Sequence, residues 1–227
     1  MNVYLIMDFL QIILCTTAAY LIGSVPTSIL IGKFFYGIDI RDHGSGSATH
    51  DNLERVVGRN PGMIARIVDV AKGLIAARLV FFAHNQYGIF EDFETSLLIM
   101  TFGLAAVLGH VFPVFAGYRG GKGYHCMLGV VLALYPLASS ISVGITLLIF
   151  VLSKYPHLGY VAGAFVLPFF FWFTRNRHGD MIVPMLIFGS LLFFAMLFTY
   201  RENLVGILMG TEAKTKRFWL RLPRNHA

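Results

Sequence analysis

Long apolar stretches are the feature that most constrains how this chain can fold. A transmembrane helix needs about 20 predominantly apolar residues. Of the 227 residues, 56% are hydrophobic and only 13% are charged, whereas a soluble domain of ordinary composition is about 25% charged. The mean hydropathy of +0.69 agrees with a chain that is mostly buried in lipid or protein. The sequence therefore predicts an all-α, polytopic integral membrane protein that forms a single membrane domain over residues 1–227.

Seven apolar segments are candidates for membrane spans. The fourth and fifth are short, and Tyr135-Pro136 separates them, because proline breaks a helix. One kinked helix over 122–153 is the alternative and would leave six spans. The seven segments are 3–32, 63–83, 95–116, 122–136, 138–153, 158–174 and 181–199.

The distribution of cations predicts the orientation. Lysine and arginine concentrate on the cytoplasmic side of membrane proteins, and here they gather on the side that holds loop 33–61. The opposite side has Arg175 and Arg177 against four acidic residues. With seven spans the N-terminus lies outside and the C-terminus lies in the cytoplasm. The cations of the inner side are Lys33, Arg41, Arg55, Arg59, Arg119, Lys122, Lys154, Arg201, Lys214, Lys216, Arg217, Arg221 and Arg224.

Both ends of the chain suggest contact with the membrane. Asp8 interrupts the first apolar run and no basic region precedes it, which favours a retained helix over a cleaved signal peptide. The tail at about 214–227 mixes cations with Phe218 and Trp219 and suits an interfacial segment on anionic lipid, although a frayed soluble tail fits equally well. Loop cations explain the net charge of +6, so nucleic acid is not an expected partner. The oligomeric state stays open.

Glycine-rich, basic segments occupy the predicted inner side. Gly44-Ser45-Gly46-Ser47 lies between Arg41 and Arg55, and Gly120-Gly121-Lys122-Gly123 precedes the fourth apolar segment. Glycine exposes backbone N–H groups, and arginine pairs with phosphate oxygens through two parallel hydrogen bonds. These segments indicate a phosphate site at the membrane edge, although a flexible linker is the plain alternative for the first.

Other phosphate and metal chemistries do not fit the spacing. Gly117 lies five residues before Lys122 and Gly123 follows it, so the P-loop pattern is absent. No histidine is followed by aspartate at the fifth position, which removes the HxxxxD acyltransferase motif. Cys15 and Cys126 lack metal-ligand spacing. The spacing therefore predicts no metal site.

The polar blocks, taken in order, resemble the bacterial acyl-phosphate:glycerol-3-phosphate acyltransferases of the PlsY type. The resemblance covers nearly the whole chain. The matching segments are Gly23-Ser-Val-Pro with Gly32-Lys33, Gly44-Ser45-Gly46 with Asn52 and Arg55, Asp69 with Lys72-Gly73, Gly109-His110-x-Phe112-Pro113 with Gly120-Gly121-Lys122-Gly123, and Arg201-Glu202-Asn203 with Gly210-Thr211-Glu212-x-Lys214.

The resemblance implies an enzyme whose reaction takes place at the cytoplasmic face of a bacterial inner membrane. An acyl phosphate would acylate the 1-hydroxyl of glycerol 3-phosphate, giving lysophosphatidic acid and phosphate for phospholipid synthesis. Because an acyl phosphate is already activated, the resemblance implies no metal and no cofactor. Lys122, Ser45 and Asn203 would be the catalytic residues. Tyr200 and Asn52 are candidate contacts of the acceptor. The phosphate-binding set implied by the resemblance is Ser45, Gly44, Gly46, Arg55, Gly120, Gly121 and Lys122.

The chain departs from the family pattern at several places. The family usually reads GSGNxGxTN where this chain has Ser47, Thr49 and Asp51, and the carboxylate of Asp51 is expected to weaken phosphate binding. Tyr200 stands where histidine is usual, and a phenol with a pKa near 10 is a poor general base at neutral pH. The Ser-rich stretch after the fifth segment reads Lys154-Tyr-Pro-His-Leu-Gly-Tyr160 here.

Two other functions remain open from the sequence. One is a relative without catalytic activity, or with a changed role, that binds a phosphorylated lipid. The other is a small transporter, which needs ionisable residues along a path through the membrane. Asp69 and Lys72 are the obvious candidates for such a path, and at a spacing of one helical turn they are expected to pair with each other.

Overall fold

The structure, a computed structural model, describes residues 3–87, 93–177 and 179–214. Within these ranges all the regular elements are helices, which confirms the all-α prediction. Short 3₁₀ turns connect several of them. The predicted interfacial tail lies outside the described residues except for Lys214. The helices are α1 (Val3–Gly23), α2 (Thr27–Tyr36), α3 (His50–Val57), α4 (Arg59–Ala77), α5 (Leu79–Tyr87), α6 (Thr95–Val111), α7 (Tyr124–Leu134), α8 (Pro136–Ser153), α9 (Pro156–Phe173), α10 (Ile182–Thr199) and α11 (Arg201–Leu208).

By length and composition, fewer of the described helices could cross a membrane than the seven segments predicted from the sequence. The described residues hold four such helices, or five when α1 and α2 are counted as one span bent by 44°. The predicted segment 3–32 is thus two helices, broken at Pro26, and 63–83 is divided between α4 and α5. The four long apolar stretches are Thr95–Ala116, Pro136–Ser153, Pro156–Phe173 and Gly179–Thr199.

The break predicted at Pro136 is confirmed. Tyr135 has extended backbone angles, and Pro136 is the first residue of α8, where a missing N–H costs nothing. Ser139 of α8 donates a hydrogen bond to the carbonyl of Leu128 at 3.3 Å, seven residues before the break. Helices α7 and α8 therefore fold back on each other, and a single kinked helix over 122–153 is wrong.

One face of helix α4 is packed in the interior and carries charged residues. A Cβ on Gly73 would lie 2.1 Å from the carbonyl oxygen of Cys126, so the backbones of α4 and α7 touch. Asp69 is 2% exposed and lies 3.0 Å from the amino group of Lys72. The predicted pairing of these two residues is confirmed, and Thr27 adds a hydrogen bond to Asp69 at 3.0 Å.

Lys72 also joins α4 to the break between α1 and α2. Its amino group donates to the carbonyl of Val25 at 2.9 Å, a group that the broken helix leaves without a helical partner. The charges on α4 are therefore used to hold the α1–α2 bend. The pairing of Asp69 with Lys72 thus explains how α4 can bury charged residues on its inner face.

Two apolar cores support the polar face of the molecule. The larger core contains residues of α1, α4, α5 and each of the five helices from α6 through α10. The smaller one consists of Ile29, Ile40, Leu53 and Ala65, and it lies beneath the loop between α2 and α3. The second core fixes that loop against α4, which places the Gly44–Ser47 segment beside the segments that precede α7 and α11.

Candidate active site

The loop between α2 and α3 is folded around the side chain of Asn52. Its Oδ1 accepts from the backbone N–H of Ser45 at 2.8 Å. Its Nδ2 lies 2.7 Å from the carbonyl oxygen of Ile40, 3.0 Å from that of Ser47 and 3.1 Å from that of His43. Asn52 is only 1% exposed. These contacts use the amide fully, so Asn52 holds the loop and is not available as the acceptor contact that the sequence predicts.

Three hydroxyl groups line the Gly44–Ser47 segment. Ser47 Oγ lies 2.9 Å from Ser45 Oγ and 2.9 Å from Thr49 Oγ1. Gly44 and Gly46 have φ angles of +61° and +70°, which explains the glycines that flank Ser45. The N–H groups of Ser45 and Gly46 already donate to Asn52 and to the carbonyl of His43. An anion here would therefore meet hydroxyl groups, and the predicted cradle of N–H groups from Ser45 and Gly46 is corrected.

The Gly120–Gly123 segment packs tightly against the end of α6. The N–H of Gly120 donates to Val111 O at 3.2 Å, and the N–H of Gly121 donates to His110 O at 3.1 Å. A Cβ on Gly121 would lie 2.2 Å from His110 Nε2. These two glycines are thus needed for close packing, and their N–H groups are not free for phosphate as predicted. The segment serves to place Arg119 and Lys122.

Three of the predicted polar blocks line one cavity of about 700 Å³. The three arginines of the lining come from three segments: Arg41 from the loop before α3, Arg119 from the segment before α7 and Arg201 from the start of α11. Arg41 is fixed in place by Asp39 at 2.7 Å and by the carbonyl of Ala116 at 3.1 Å. The formal charges of the lining cancel, because it holds three arginines and three carboxylates. Arg41 pairs with Asp39 and Arg201 with Glu202. Arg119 has no ion pair among the described residues, so its guanidinium is available to an anionic ligand. The lining residues are Asp39, Arg41, Asp42, Gly46, Ser47, Ala48, Arg119, Gly120, Arg201 and Glu202.

Arg55 lies apart from this group. It is exposed on α3 and is not among the residues that line the cavity. Within the described residues its guanidinium has no ion pair or hydrogen bond, whereas Arg41 reaches the cavity from the other side of the glycine loop. The hydrogen bonds from Arg41 hold the pKa of the Asp39 carboxyl below its usual range. Arg41 thus lines the cavity whereas Arg55 does not, and the phosphate-binding role of Arg55 stays a prediction.

Lys122 and Asn203 meet each other close in the chain to two residues that line the cavity, Gly120 and Glu202. The amino group of Lys122 donates to Asn203 Oδ1, and Thr199 donates to the carbonyl of Lys122 at 2.9 Å. Burial lowers the pKa of Lys122, although nearby carboxylates, first Asp51, act in the opposite direction. Lys122 precedes α7, whose first residue is Tyr124, so the amino group lies outside the helix that was predicted to begin there.

The aromatic ring of Tyr200 packs against the amino group of Lys122. Its ring centroid is 5.1 Å from the Lys122 amino nitrogen, a distance suited to a cation–π contact. The residue is 1% exposed, and burial raises the pKa of its phenol well above 10. Tyr200 is therefore too enclosed to contact an acceptor substrate as predicted, and its hydroxyl keeps its proton at neutral pH.

The carboxylate of Asp51 is compensated within the protein. It lies 3.0 Å from Arg66, 3.4 Å from His50 and 3.5 Å from His157. Burial alone would raise the pKa of Asp51, but the charge of His50 and a hydrogen bond from His157 outweigh it and hold that pKa well below its usual range. The expected repulsion between Asp51 and a bound phosphate is thus reduced by its partners.

Two residues of the site were not predicted as functional from the sequence. Glu212 Oε1 accepts from Asn203 Nδ2 at 3.1 Å, and His157 Nδ1 lies 2.9 Å from the same oxygen. Glu212 stands in the last matched motif, which is a signal that could have identified it. His157 lies in the stretch that departs from the family's Ser-rich pattern, so that departure is the one signal that marks it, and its partners come from α3 and from the segment after α11.

Comparison with known proteins identifies the family of this chain. Residues 13–210 match the family described as Glycerol-3-phosphate acyltransferase. The glycerol-3-phosphate acyltransferase of Chlorobaculum tepidum is 38% identical, over 91% of this chain and 96% of that protein. The one from Chlorobium phaeovibrioides is 36% identical, over 89% and 96%.

Solved structures agree with the sequence comparison. The crystal structure of PlsY (YgiH), an integral membrane glycerol 3-phosphate acyltransferase, in its glycerol 3-phosphate form, superposes with a TM-score of 0.75 at 30% identity. The match covers 90% of this chain and 96% of that one. The lysophosphatidic acid form gives 0.74 at 30% identity. The shared fold and the extent of these matches show that this chain is a multi-pass membrane protein that belongs to the glycerol-3-phosphate acyltransferase family.

Proposed function

We propose that this protein transfers a fatty acyl group from an acyl phosphate to the 1-hydroxyl of glycerol 3-phosphate. The observation that carries the proposal is the cavity lined by Arg41, Arg119 and Arg201, together with the Lys122–Asn203 pair. Both substrates carry a phosphate. Arg119 and Lys122 have no ion pair with a carboxylate among the described residues, so these two cations are available to bind phosphate oxygens. The related PlsY structures are described as glycerol 3-phosphate and lysophosphatidic acid forms, which supports the same acceptor and product.

The chemistry asks little of the protein beyond alignment and charge. The acceptor hydroxyl oxygen attacks the acyl carbon, the bond from that carbon to the phosphate oxygen breaks, and inorganic phosphate leaves. Lys122 would neutralise charge on the phosphate and the attacked carbonyl, while Asn203 fixes the lysine. The hydroxyl of Ser45 would donate to a phosphate oxygen. Because Glu212 and Asp51 are already paired, the departing phosphate is the available base for the hydroxyl proton.

An assay with defined donors tests this proposal. We expect the purified protein in detergent to convert palmitoyl phosphate and labelled glycerol 3-phosphate to lysophosphatidate, and to make no product when palmitoyl-coenzyme A replaces palmitoyl phosphate. The reason is that a coenzyme A thioester has no phosphate on its acyl carbon, so the cations proposed to bind the leaving phosphate would have no partner there. Product from the coenzyme A thioester at a similar rate would make the donor assignment wrong.

We further propose a single membrane domain in which seven segments cross a bacterial inner membrane, with the N-terminus outside and the active site facing the cytoplasm. The crossing segments would be the α1–α2 pair, α4 with α5, and each helix from α6 to α10. The arginines of the cavity support this orientation, since they belong to loops that the distribution of cations assigns to the inside.

Thiol labelling can measure the orientation. In a variant lacking Cys15 and Cys126, a cysteine placed at Arg175 is expected to react with an impermeant maleimide on intact cells. One placed at Lys154, which is exposed at the end of α8, should react only after the membrane is opened. The reverse pattern, or equal labelling of both, would rule out this topology.

A further inference from the structure

His157 lies between two carboxylates that belong to different parts of the chain. It is a buried residue in the first turn of α9. Its Nδ1 is 2.9 Å from Glu212 Oε1, after α11, and its Nε2 is 3.5 Å from Asp51 Oδ2, in α3. Asp51 is in turn fixed by Arg66 of α4 at 3.0 Å. The imidazole therefore ties the end of the described chain to the helix that follows the glycine loop.

Glu212 transmits this fixed position to the Lys122–Asn203 pair. Its Oε1 accepts from Asn203 Nδ2 at 3.1 Å as well as contacting His157. A carboxylate can only accept hydrogen bonds, so Glu212 determines which end of the Asn203 amide faces it. The other end, Oδ1, must then face Lys122, whose amino group donates to it. Rotation of the amide would point an NH₂ group at the lysine and lose both contacts.

We infer that His157 is a positioning residue for this reaction, which holds Glu212 so that Asn203 presents its oxygen to Lys122. The inference rests on the catalytic roles proposed above for Lys122 and Asn203. It also gives Asp51 a function, because Asp51 contacts the ring on the side opposite Glu212. Two aromatic rings enclose the imidazole: the ring centroids of Tyr200, after α10, and of Tyr160, in α9 itself, lie 5.6 Å and 6.2 Å from its centroid.

Two substitutions that preserve different halves of the imidazole test this role. In His157→Asn the side-chain NH₂ takes the place of Nδ1 and can still donate to Glu212. In His157→Gln the amide lies one atom further out, near the place of Nε2. We expect His157→Gln to lower kcat about 30-fold, the loss typical of a hydrogen bond to a charged group, with KM for glycerol 3-phosphate changed less than about threefold. His157→Asn should keep kcat within about threefold of the wild type.

A double-variant comparison separates positioning from mere packing. If His157 acts through Glu212, adding His157→Gln to Glu212→Gln should lower kcat no further than Glu212→Gln alone. Independent, multiplicative losses would overturn the inference. Equal loss of kcat in His157→Asn and His157→Gln, with equally lowered melting temperatures, would also overturn it, because packing alone would then account for the effect.

The Lys122→Ala variant distinguishes this inference from the proposed function. An inactive Lys122→Ala beside a fully active His157→Gln would overturn the role of His157 and leave the reaction in place. A fully active Lys122→Ala would remove the pair that His157 is inferred to position, and both statements would be wrong. Loss in Lys122→Ala together with the selective loss in His157→Gln supports both.

Discussion

Replacing Lys122 with alanine is expected to lower kcat about a thousandfold, the upper range for losing one preorganised group that stabilises charge in a transition state. Lys122 is the cation that contacts Asn203, and its amino group is partly buried where water screens charge weakly. The measurement is the rate of lysophosphatidate formation from palmitoyl phosphate at saturating glycerol 3-phosphate.

Two variants make this result specific. Lys122→Met keeps most of the apolar stem and should be as inactive as Lys122→Ala, because it lacks the charge. Lys154→Gln removes a lysine that is exposed at the end of α8, and it should keep the wild-type rate. A melting temperature near the wild-type value in each variant excludes loss of folding. Activity of Lys122→Met above one tenth of the wild type would show that the charge is not needed.

The pH dependence of the same rate distinguishes a cation from a base. Burial lowers the pKa of Lys122, so the ammonium form is lost at a lower pH than for an exposed lysine. If the charge is what acts, kcat is highest below this pKa and falls as pH rises through it. If the neutral amine acted as a base, kcat would rise over the same range. A Lys122→Arg variant with residual activity should not show the alkaline fall, because arginine keeps its proton.

The fold was predictable where the apolar pattern acts locally. The break at Tyr135-Pro136 follows from proline alone, and the long segments near α6, α8, α9 and α10 follow from hydropathy. The α1–α2 bend was harder, because the apolar run continues through Pro26 and the bend is stabilised by Lys72 of another helix. Helix α4 shows the same limit. The charges of Asp69 and Lys72 are tolerated in the interior because the two residues form an ion pair and Asp69 also accepts a hydrogen bond from Thr27.

The candidate site was also predictable from the sequence only in part. The order of the motifs predicted that Lys122 and Asn203 belong to one site, and the structure brings these two residues together. The order of the motifs could not predict which backbone N–H groups are free. Those of Gly120 and Gly121 donate to carbonyl groups at the end of α6. The burial of Tyr200 and the contacts of His157 depend on how distant helices pack, so no local spacing records them.

Replacing Asn52 with leucine is expected to abolish activity and to lower the free energy of unfolding by about 3 kcal/mol. A loss of this size is expected because several buried polar groups lose a shared partner. The carbonyls of Ile40, His43 and Ser47 and the N–H of Ser45 all point at this one side chain. Leucine fills a similar volume but pairs with none of them. The loop that carries Ser45 and Arg41 would then lose its shape, although neither residue is changed.

Thermal unfolding and limited proteolysis of the loop between α2 and α3 measure this effect beside the activity assay. Asn52→Asp is the sharper variant, because it keeps the oxygen that accepts from Ser45 but sets a second oxygen against three carbonyls. It should be nearly as damaging as Asn52→Leu. Asn60→Asp, at an exposed site near the start of α4, should change neither stability nor rate. If Asn52→Asp kept its melting temperature and its resistance to protease while losing only activity, the amide would be acting on the substrate, and its role as the centre of the loop would be wrong.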